Sequence, residues 1–250
     1  MTVDQDGFVS AAREIIDRLV TTQRDPIRAA AALVARCVLD GGVVQAFGTG
    51  HSQALVMEIA GRAGGLIPTN RLSLRDGQFY GGDPVESMDP FLERDPAVAH
   101  RIYQLAPVRD GDLFVIASNS GGNGSTVEMA ALVKEKGHPL IAFTSLRHAT
   151  AVPSRHPSGR HLHEVADVVI DNCGPMGDAL LPLPGGGSVC AISSITAAMA
   201  AQMMLADATA LILEAGKTPP IYLSANVPGG DEHNGALEAR YAGRIRRDPS

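Results

Sequence analysis

Apolar residues recur at helical spacing from the start of the chain. Phe8, Ala11, Ala12, Ile15, Ile16, Leu19 and Val20 share one face, and Ile27 to Val38 repeats the pattern directly after Pro26. The spacing predicts a pair of helices within residues 7–39. The period then changes: Val43-Val44-Gln45-Ala46-Phe47 runs into a Gly-rich turn, and Ser52 to Ala63 returns to helical character, which predicts strand, loop, helix. The order recurs with the strand Leu113 to Ala117, the loop 118–124, the helix 125–136, the strand Leu140 to Phe143 and then Val168-Val169-Ile170. Short, wholly apolar strands alternating with helices suit a parallel sheet covered on both faces. The expected fold class is therefore α/β with a doubly wound parallel sheet. One domain spans 1–250, with its core over about residues 10–215 and an extension at 216–250.

In such sheets ligands gather outside the carboxyl ends of the strands, so the loops after Phe47, Ala117, Phe143 and Ile170 are expected to face one crevice. Two stretches dense in Gly and Pro, 76–90 and 171–188, are long enough to be functional loops. Val189 to Leu213 is apolar, but Gln202 and Asp207 interrupt it and much of it is Ala, so it reads as a long buried helix rather than a membrane span. Its apolar residues exceed one face, which predicts a homo-oligomer.

A hydrophobic content of 45% in 250 residues supports one sizeable core. The net charge of −6 has no block of like charges behind it, so no nucleic-acid partner and no membrane partner are expected, and a small molecule is. Cys37, Cys173 and Cys190 are few, odd in number and without metal-type spacing, which fits a reducing compartment and buried apolar thiols. Asp4, Asp6, Arg13 and Glu14 break up any signal-peptide pattern, and the expected location is cytoplasmic.

Two loops carry candidate chemistry. Ser118-Asn119-Ser120-Gly121-Gly122-Asn123-Gly124-Ser125-Thr126 places hydroxyls and a flexible backbone between a buried strand and a helix start, an arrangement suited to an anion. A capped turn, with Ser125 or Thr126 as N-cap and Glu128 completing a capping box, explains the same residues. Gly48-Thr49-Gly50-His51-Ser52 follows the first strand in the same way. A dinucleotide fingerprint needs a small residue where Gln53 stands, and no Walker lysine is present.

The pairing of these two loops resembles the sugar-isomerase (SIS) domain family, whose Ser-x-Ser-Gly phosphate loop is matched by Ser118-Asn119-Ser120-Gly121. The resemblance covers about residues 10–215, and Asn226-Val227-Pro228-Gly229-Gly230-Asp231-Glu232-His233-Asn234 is similar to the ending of one branch. It implies a five-stranded parallel sheet in flavodoxin-like order and a homodimer or homotetramer. It also implies a phosphosugar whose phosphate sits in the serine loop and whose sugar reaches the first loop. The implied binding residues are Gly48, Thr49, Gly50, Ser52, Ser118, Asn119, Ser120, Gly121, Asn123, Ser125 and Thr126.

Glu58, in Glu58-Ile59-Ala60-Gly61-Arg62, matches a Glu-x-x-Gly-Arg of the sedoheptulose-7-phosphate isomerase branch, where the Glu lies in the active site. That match makes Glu58 the candidate base, with His51 assisting ring opening; a surface carboxylate paired with Arg62 at i+4 is the competing account. The same branch has a metal-binding His where this chain has Ala54, so its zinc site does not carry over. No cofactor is expected, although His161-x-His163 suits a metal if that segment is extended. Ser154 to Arg160 is either an anion clamp or a solvated loop. Glu232 and His233 are candidates to close over a neighbouring subunit's site, against a helix capped by Asp231. Three functions remain: an aldose–ketose isomerase of a sugar phosphate, which is favoured; a lyase or etherase on an amino-sugar phosphate, as in N-acetylmuramic acid 6-phosphate etherases; and a sugar-phosphate sensor without turnover.

Overall fold

The computed structural model describes residues 2–84, 89 and 91–247. Residues 85–88 and 90 of the Gly- and Pro-rich stretch 76–90 lie outside the described residues. Five parallel strands, β1 (Val44–Gly48), β2 (Thr69–Leu72), β3 (Leu113–Ala117), β4 (Leu140–Thr144) and β5 (Val168–Asp171), form one sheet in the order β2-β1-β3-β4-β5. The expected doubly wound α/β architecture is the one observed.

Alternating side chains of each strand supply two cores, as the two-residue period of a strand requires. Val44, Leu113, Val115, Ala117, Ile141, Phe143 and Ile170 face α1 (Gln5–Thr22), α2 (Arg24–Leu39), α3 (Gln53–Ile59) and α8 (Ser193–Glu214). Phe47, Phe114, Ile116, Leu140 and Ala142 face α5 (Ala97–Leu105) and α6 (Gly124–Glu135). Phe47, Phe114 and Phe143 are fully buried, and each contributes roughly 2–3 kcal/mol by leaving water.

Several boundaries differ from the sequence reading, each for a local reason. α2 starts at Arg24 rather than after Pro26, because a proline in the first helical turn lacks an N–H that has no partner there anyway. α3 ends at Ile59 rather than at Ala63: Ala60 is extended, and Gly61 has φ +80°, a conformation side chains resist. The stretch 171–188 is partly structured, with β6 (Ala179–Pro182) and β7 (Ser188–Ala191), which begins at its end, forming an antiparallel hairpin. α8 is buried along one stripe only, Thr196, Ala197, Ala200, Ala201, Met204, Ala208 and Ile212, while Ile195, Leu211 and Leu213 are exposed. Among the described residues it is the one helix long and apolar enough to cross a membrane, and its small residues let it lie close against α2 and α3. Cys37 and Cys173 are buried, and burial pushes the Cys37 thiol up to about 12, but Cys190 is exposed on β7 rather than buried as expected.

The short strand β2 has no run of apolar residues; polar groups hold it. Asn70, fully buried, donates to Gln45 Oε1 at 3.1 Å and to the Arg244 carbonyl at 2.8 Å, and accepts from Arg246 N–H at 2.7 Å. Arg247 donates to the carbonyls of Thr69 and Ile67. Residues 244–247 thus strap the open edge of the sheet, the place where unpaired strand groups otherwise invite other chains.

Candidate functional site

The register Gly48↔Ala117, Ala117↔Phe143 and Phe143↔Ile170 levels the carboxyl ends of four strands, so the loops that follow open onto the same edge. There a cleft open to solvent is lined by His51, Ser52, Leu55, Ala117, Ser118, Asn119, Phe143, Asn172, Ser193, Ser194 and Ala197. Its polar lining is four hydroxyls, two amides and one imidazole, with no carboxylate among the lining residues. Such a surface offers hydrogen-bond donors and no repulsion to an anion.

The serine loop is held from behind. Ser118 Oγ accepts from Gly121 N–H at 3.1 Å, the Gly121 carbonyl accepts from Leu162 N–H at 2.8 Å, and the Gly122 carbonyl accepts from Arg155 N–H at 2.8 Å. Arg155 also donates to Asn123 Oδ1 at 3.0 Å, so Ser154 and Arg155 brace the loop, while residues 157–160 are exposed as a solvated loop is. The helix that follows, α6, begins at Gly124 with Asn123 as N-cap, and no side chain caps it. The capping-box account therefore fails: Glu128 is bound instead by His100 and His156, each at 2.7 Å, and these bonds keep its carboxyl below the usual range against the opposing effect of partial burial. The N–H groups of Gly124, Ser125 and Thr126 are left over by helix geometry. Thr126 Oγ1 is fully buried and has no hydrogen-bond partner among the described residues.

Three residues that sequence reasoning passed over shape the site. Asn172, after β5, donates to Asn119 Oδ1 at 2.8 Å and so fixes that amide. Asp178 accepts from Ser193 N–H at 2.8 Å and from its hydroxyl at 2.6 Å, which caps α8 and places Ser193 and Ser194 in the cleft. Glu93, in the short 3-10 turn Leu92–Arg94, bridges the two ligand loops. Its Oε2 accepts from the Thr49 hydroxyl at 2.9 Å and its carbonyl accepts from the Ser125 hydroxyl at 2.8 Å. The turn lies so close to α6 that a Cβ on Gly124 meets the Arg94 carbonyl, so only glycine fits there. No motif marked these residues. The polar character of Asn172 and Ser193 just beyond a strand and just inside a helix was the available signal.

The structure brings His51, Ser52, Ser118 and Asn119 together and carries Thr49 and Ser125 alongside through Glu93. It does not bring Glu58 to them. Glu58 lines a separate cavity with Val44 and Thr69, at the amino ends of β1 and β2, and does not line the cleft. There it is paired with Arg62 and accepts from Gln202 Nε2 at 2.5 Å. Glu232 and His233 lie on α9 (Gly230–Glu238), which starts at Gly230 with Gly229, not Asp231, as its N-cap. His233 Nε2 is 3.0 Å from the Ile221 carbonyl, on the segment that pairs with residues 64–67 before β2, so neither residue lines the cleft within one chain. The rings of His161 and His163 lie 5.7 Å apart, tilted by 37°, with His161 Nε2 at 3.0 Å from the Val152 carbonyl.

A parallel sheet in this order with a donor-rich cleft at its carboxyl ends defines an α/β ligand-binding domain. The sequence profile of the SIS domain matches residues 7–145, and the chain belongs to that family. It is 42% identical over 239 residues to UPF0309 protein lmo0025 of Listeria monocytogenes, covering 95% of this chain and 97% of that one. Its fold is similar to that of the phosphoheptose isomerase GmhA from Neisseria gonorrhoeae, with TM-score 0.53 at 16% identity over 81% of this chain and 95% of that one. It is also similar to the Vibrio vulnificus NanR protein complexed with ManNAc-6P, with TM-score 0.50 at 13% identity over 98% and 72%.

Proposed function

We propose that this chain binds a phosphorylated sugar in the cleft at the carboxyl ends of β1, β3 and β4 and interconverts its aldose and ketose forms. The observation that carries phosphosugar binding is the lining of that cleft, hydroxyl and amide donors beside the uncapped start of α6; Glu93 does not line it and is linked to the first loop through Thr49. Ser118, Asn119, Ser120, Gly121, Asn123, Ser125 and Thr126 hold the phosphate, Gly48, Thr49, Gly50 and Ser52 hold the sugar, and His51 stands at its ring. A family relationship to sugar-isomerase domains and fold neighbours named for phosphoheptose isomerase and a ManNAc-6P complex support the choice of ligand.

An aldose–ketose conversion moves one proton between adjacent carbons, and a carboxylate held near both loops is suited to carry it. In this reading Glu93, not Glu58, is that group. Glu93 is hydrogen-bonded to Thr49 of the first loop, while Glu58 lies at the other end of the sheet. Glu232 and His233 act, in this reading, only across a subunit boundary.

The test is a thermal-shift comparison of phosphosugars with their unphosphorylated sugars, since a ligand bound only by the native state raises the apparent stability. Phosphosugars are expected to stabilise the protein. Ser120→Ala and Thr126→Val are each expected to remove most of that shift, because the lost donors address only the anion. Equal shifts with and without the phosphate contradict the reading.

The chain is also expected to form a homo-oligomer through the outward face of α8, where Ile195 and Leu213 are 44% and 58% exposed. Sedimentation velocity at micromolar concentration checks this. A monodisperse monomer contradicts it, and Leu213→Lys is expected to shift the population toward monomer.

A further inference from the structure

Glu128 of α6 joins two imidazoles behind the serine loop. One of its oxygens lies 2.7 Å from His100 Nε2 on α5, and the other lies 2.7 Å from His156 Nε2, next to the residues that brace the loop. A carboxylate only accepts, so both rings donate to it through Nε2. The His156 side chain is 9% exposed, and its second nitrogen is engaged as well. Nδ1 accepts from Ser158 N–H at 3.2 Å and lies 2.7 Å from Ser158 Oγ. A ring nitrogen that accepts a backbone N–H carries no proton of its own, so the tautomer is fixed. The proton of His156 faces Glu128, and its lone pair faces Ser158.

Hydroxyl, imidazole and carboxylate in one hydrogen-bonded series are the parts of an activated nucleophile, in which the carboxylate orients the base and the base draws on the hydroxyl. In serine proteases the hydroxyl meets Nε2 and the carboxylate meets Nδ1; here the two nitrogens exchange partners and the path of the proton is unchanged. Arg160 N–H donates to Ser158 Oγ at 3.3 Å, which favours that oxygen as its proton leaves. Residues 157–160 are exposed, and beside Ser158 a Cβ on Gly159 meets open space. The hydroxyl is therefore open to solvent while its base is shielded. Glu128, His156 and Ser158 are all absent from the lining of the cleft.

From this relay we infer that Ser158 is a nucleophile that takes an acyl group from a small activated ester. Ser158 Oγ bonds to the ester carbonyl carbon, and the bond from that carbon to the leaving oxygen breaks. The hydroxyl proton passes to His156 Nδ1 and then to the leaving oxygen, while Glu128 steadies the imidazolium formed in between. This chemistry does not depend on the phosphosugar reading. It takes place beside the ligand loop, because Arg155 of the same segment holds the Gly122 carbonyl and Asn123.

Peptide mass spectrometry of the full chain after incubation with p-nitrophenyl acetate, and separately with a fluorophosphonate, tests the assignment. With both reagents one serine adduct is expected, on the peptide that carries Ser158, while the exposed Ser10 stays free. Ser158→Ala is expected to abolish the adduct and to leave the melting temperature unchanged. His156→Ala is expected to slow adduct formation about a hundredfold, as loss of a general base does. Glu128→Gln, which keeps the shape of the side chain, is expected to slow it by a smaller factor and serves where His156→Ala does not fold. Absence of an adduct on Ser158 overturns the proposal. So does labelling shared equally among exposed serines, or a Ser158 rate that is unchanged in the folded variants of His156 and Glu128. None of these three results bears on whether the cleft takes a phosphosugar.

Discussion

Glu93→Gln is expected to lower turnover of the phosphosugar by about 10²–10⁴-fold while leaving its binding nearly unchanged. The amide still accepts the Thr49 hydroxyl, and the backbone carbonyl of residue 93 still accepts the Ser125 hydroxyl, so both ligand loops keep their positions. What is lost is the capacity to take a carbon-bound proton. The loss falls on kcat, because the carboxylate is needed in the transition state rather than in the bound ground state. Glu58→Gln is the informative contrast. Its carboxylate is half-buried between Arg62 and Gln202 at the amino ends of the strands, and its replacement is expected to leave turnover essentially unaltered. Steady-state kinetics of the two variants decide the point. A loss in Glu58→Gln with Glu93→Gln unaffected transfers the proton to Glu58, and then requires a second subunit to bring the site to it.

The largest expected loss of stability comes from Asp112→Ala. This carboxylate is fully buried below the sheet and accepts from the N–H groups of Val43 and Arg109, from Gln45 Nε2 and from the Arg244 guanidinium. Removing it strands four donors, one of them charged, and breaking a buried ion pair from one side costs about 3–5 kcal/mol. Chemical denaturation is expected to show that loss in the midpoint. Asp112→Asn, which keeps an acceptor for some of these donors, is expected to fall between the two. Loss of Arg244 from its anchor also releases the strap over β2, so proteolysis after Ala242 is expected to quicken in both variants.

The sequence revealed those parts of the molecule in which a local pattern and the tertiary structure ask for the same residues. The strands β1, β3, β4 and β5 are apolar runs because helices cover both faces, and that same coverage makes them easy to find. β2 was missed. Thr69-Asn70-Arg71-Leu72 carries no apolar run, because its buried polar groups are satisfied by Gln45 and by a strap 174 residues further along the chain. The serine loop and the first loop were legible as anion-binding turns, and His51, Ser52, Ser118 and Asn119 do meet in one cleft. Glu58 was singled out by a motif, and motif spacing says nothing about which end of a helix reaches which end of a sheet. With α3 only seven residues long, Glu58 falls at the far end. Glu93 was illegible for the opposite reason: it acts from an irregular turn whose position is fixed by contacts with Thr49, Gly124 and Ser125, all distant in sequence.

The central claim, turnover of a phosphosugar through proton transfer between adjacent carbons, is tested most directly by solvent-deuterium incorporation. The wild-type protein is incubated in deuterated buffer with the phosphosugar that stabilises it most, and the sugar is followed by proton NMR. The account expects the signal of the hydrogen next to the carbonyl to disappear with time, and to persist when Glu93→Gln replaces the wild type. Full retention of that hydrogen in the wild type, with the same sugar bound tightly, contradicts the account and identifies a protein that binds the phosphosugar without isomerising it.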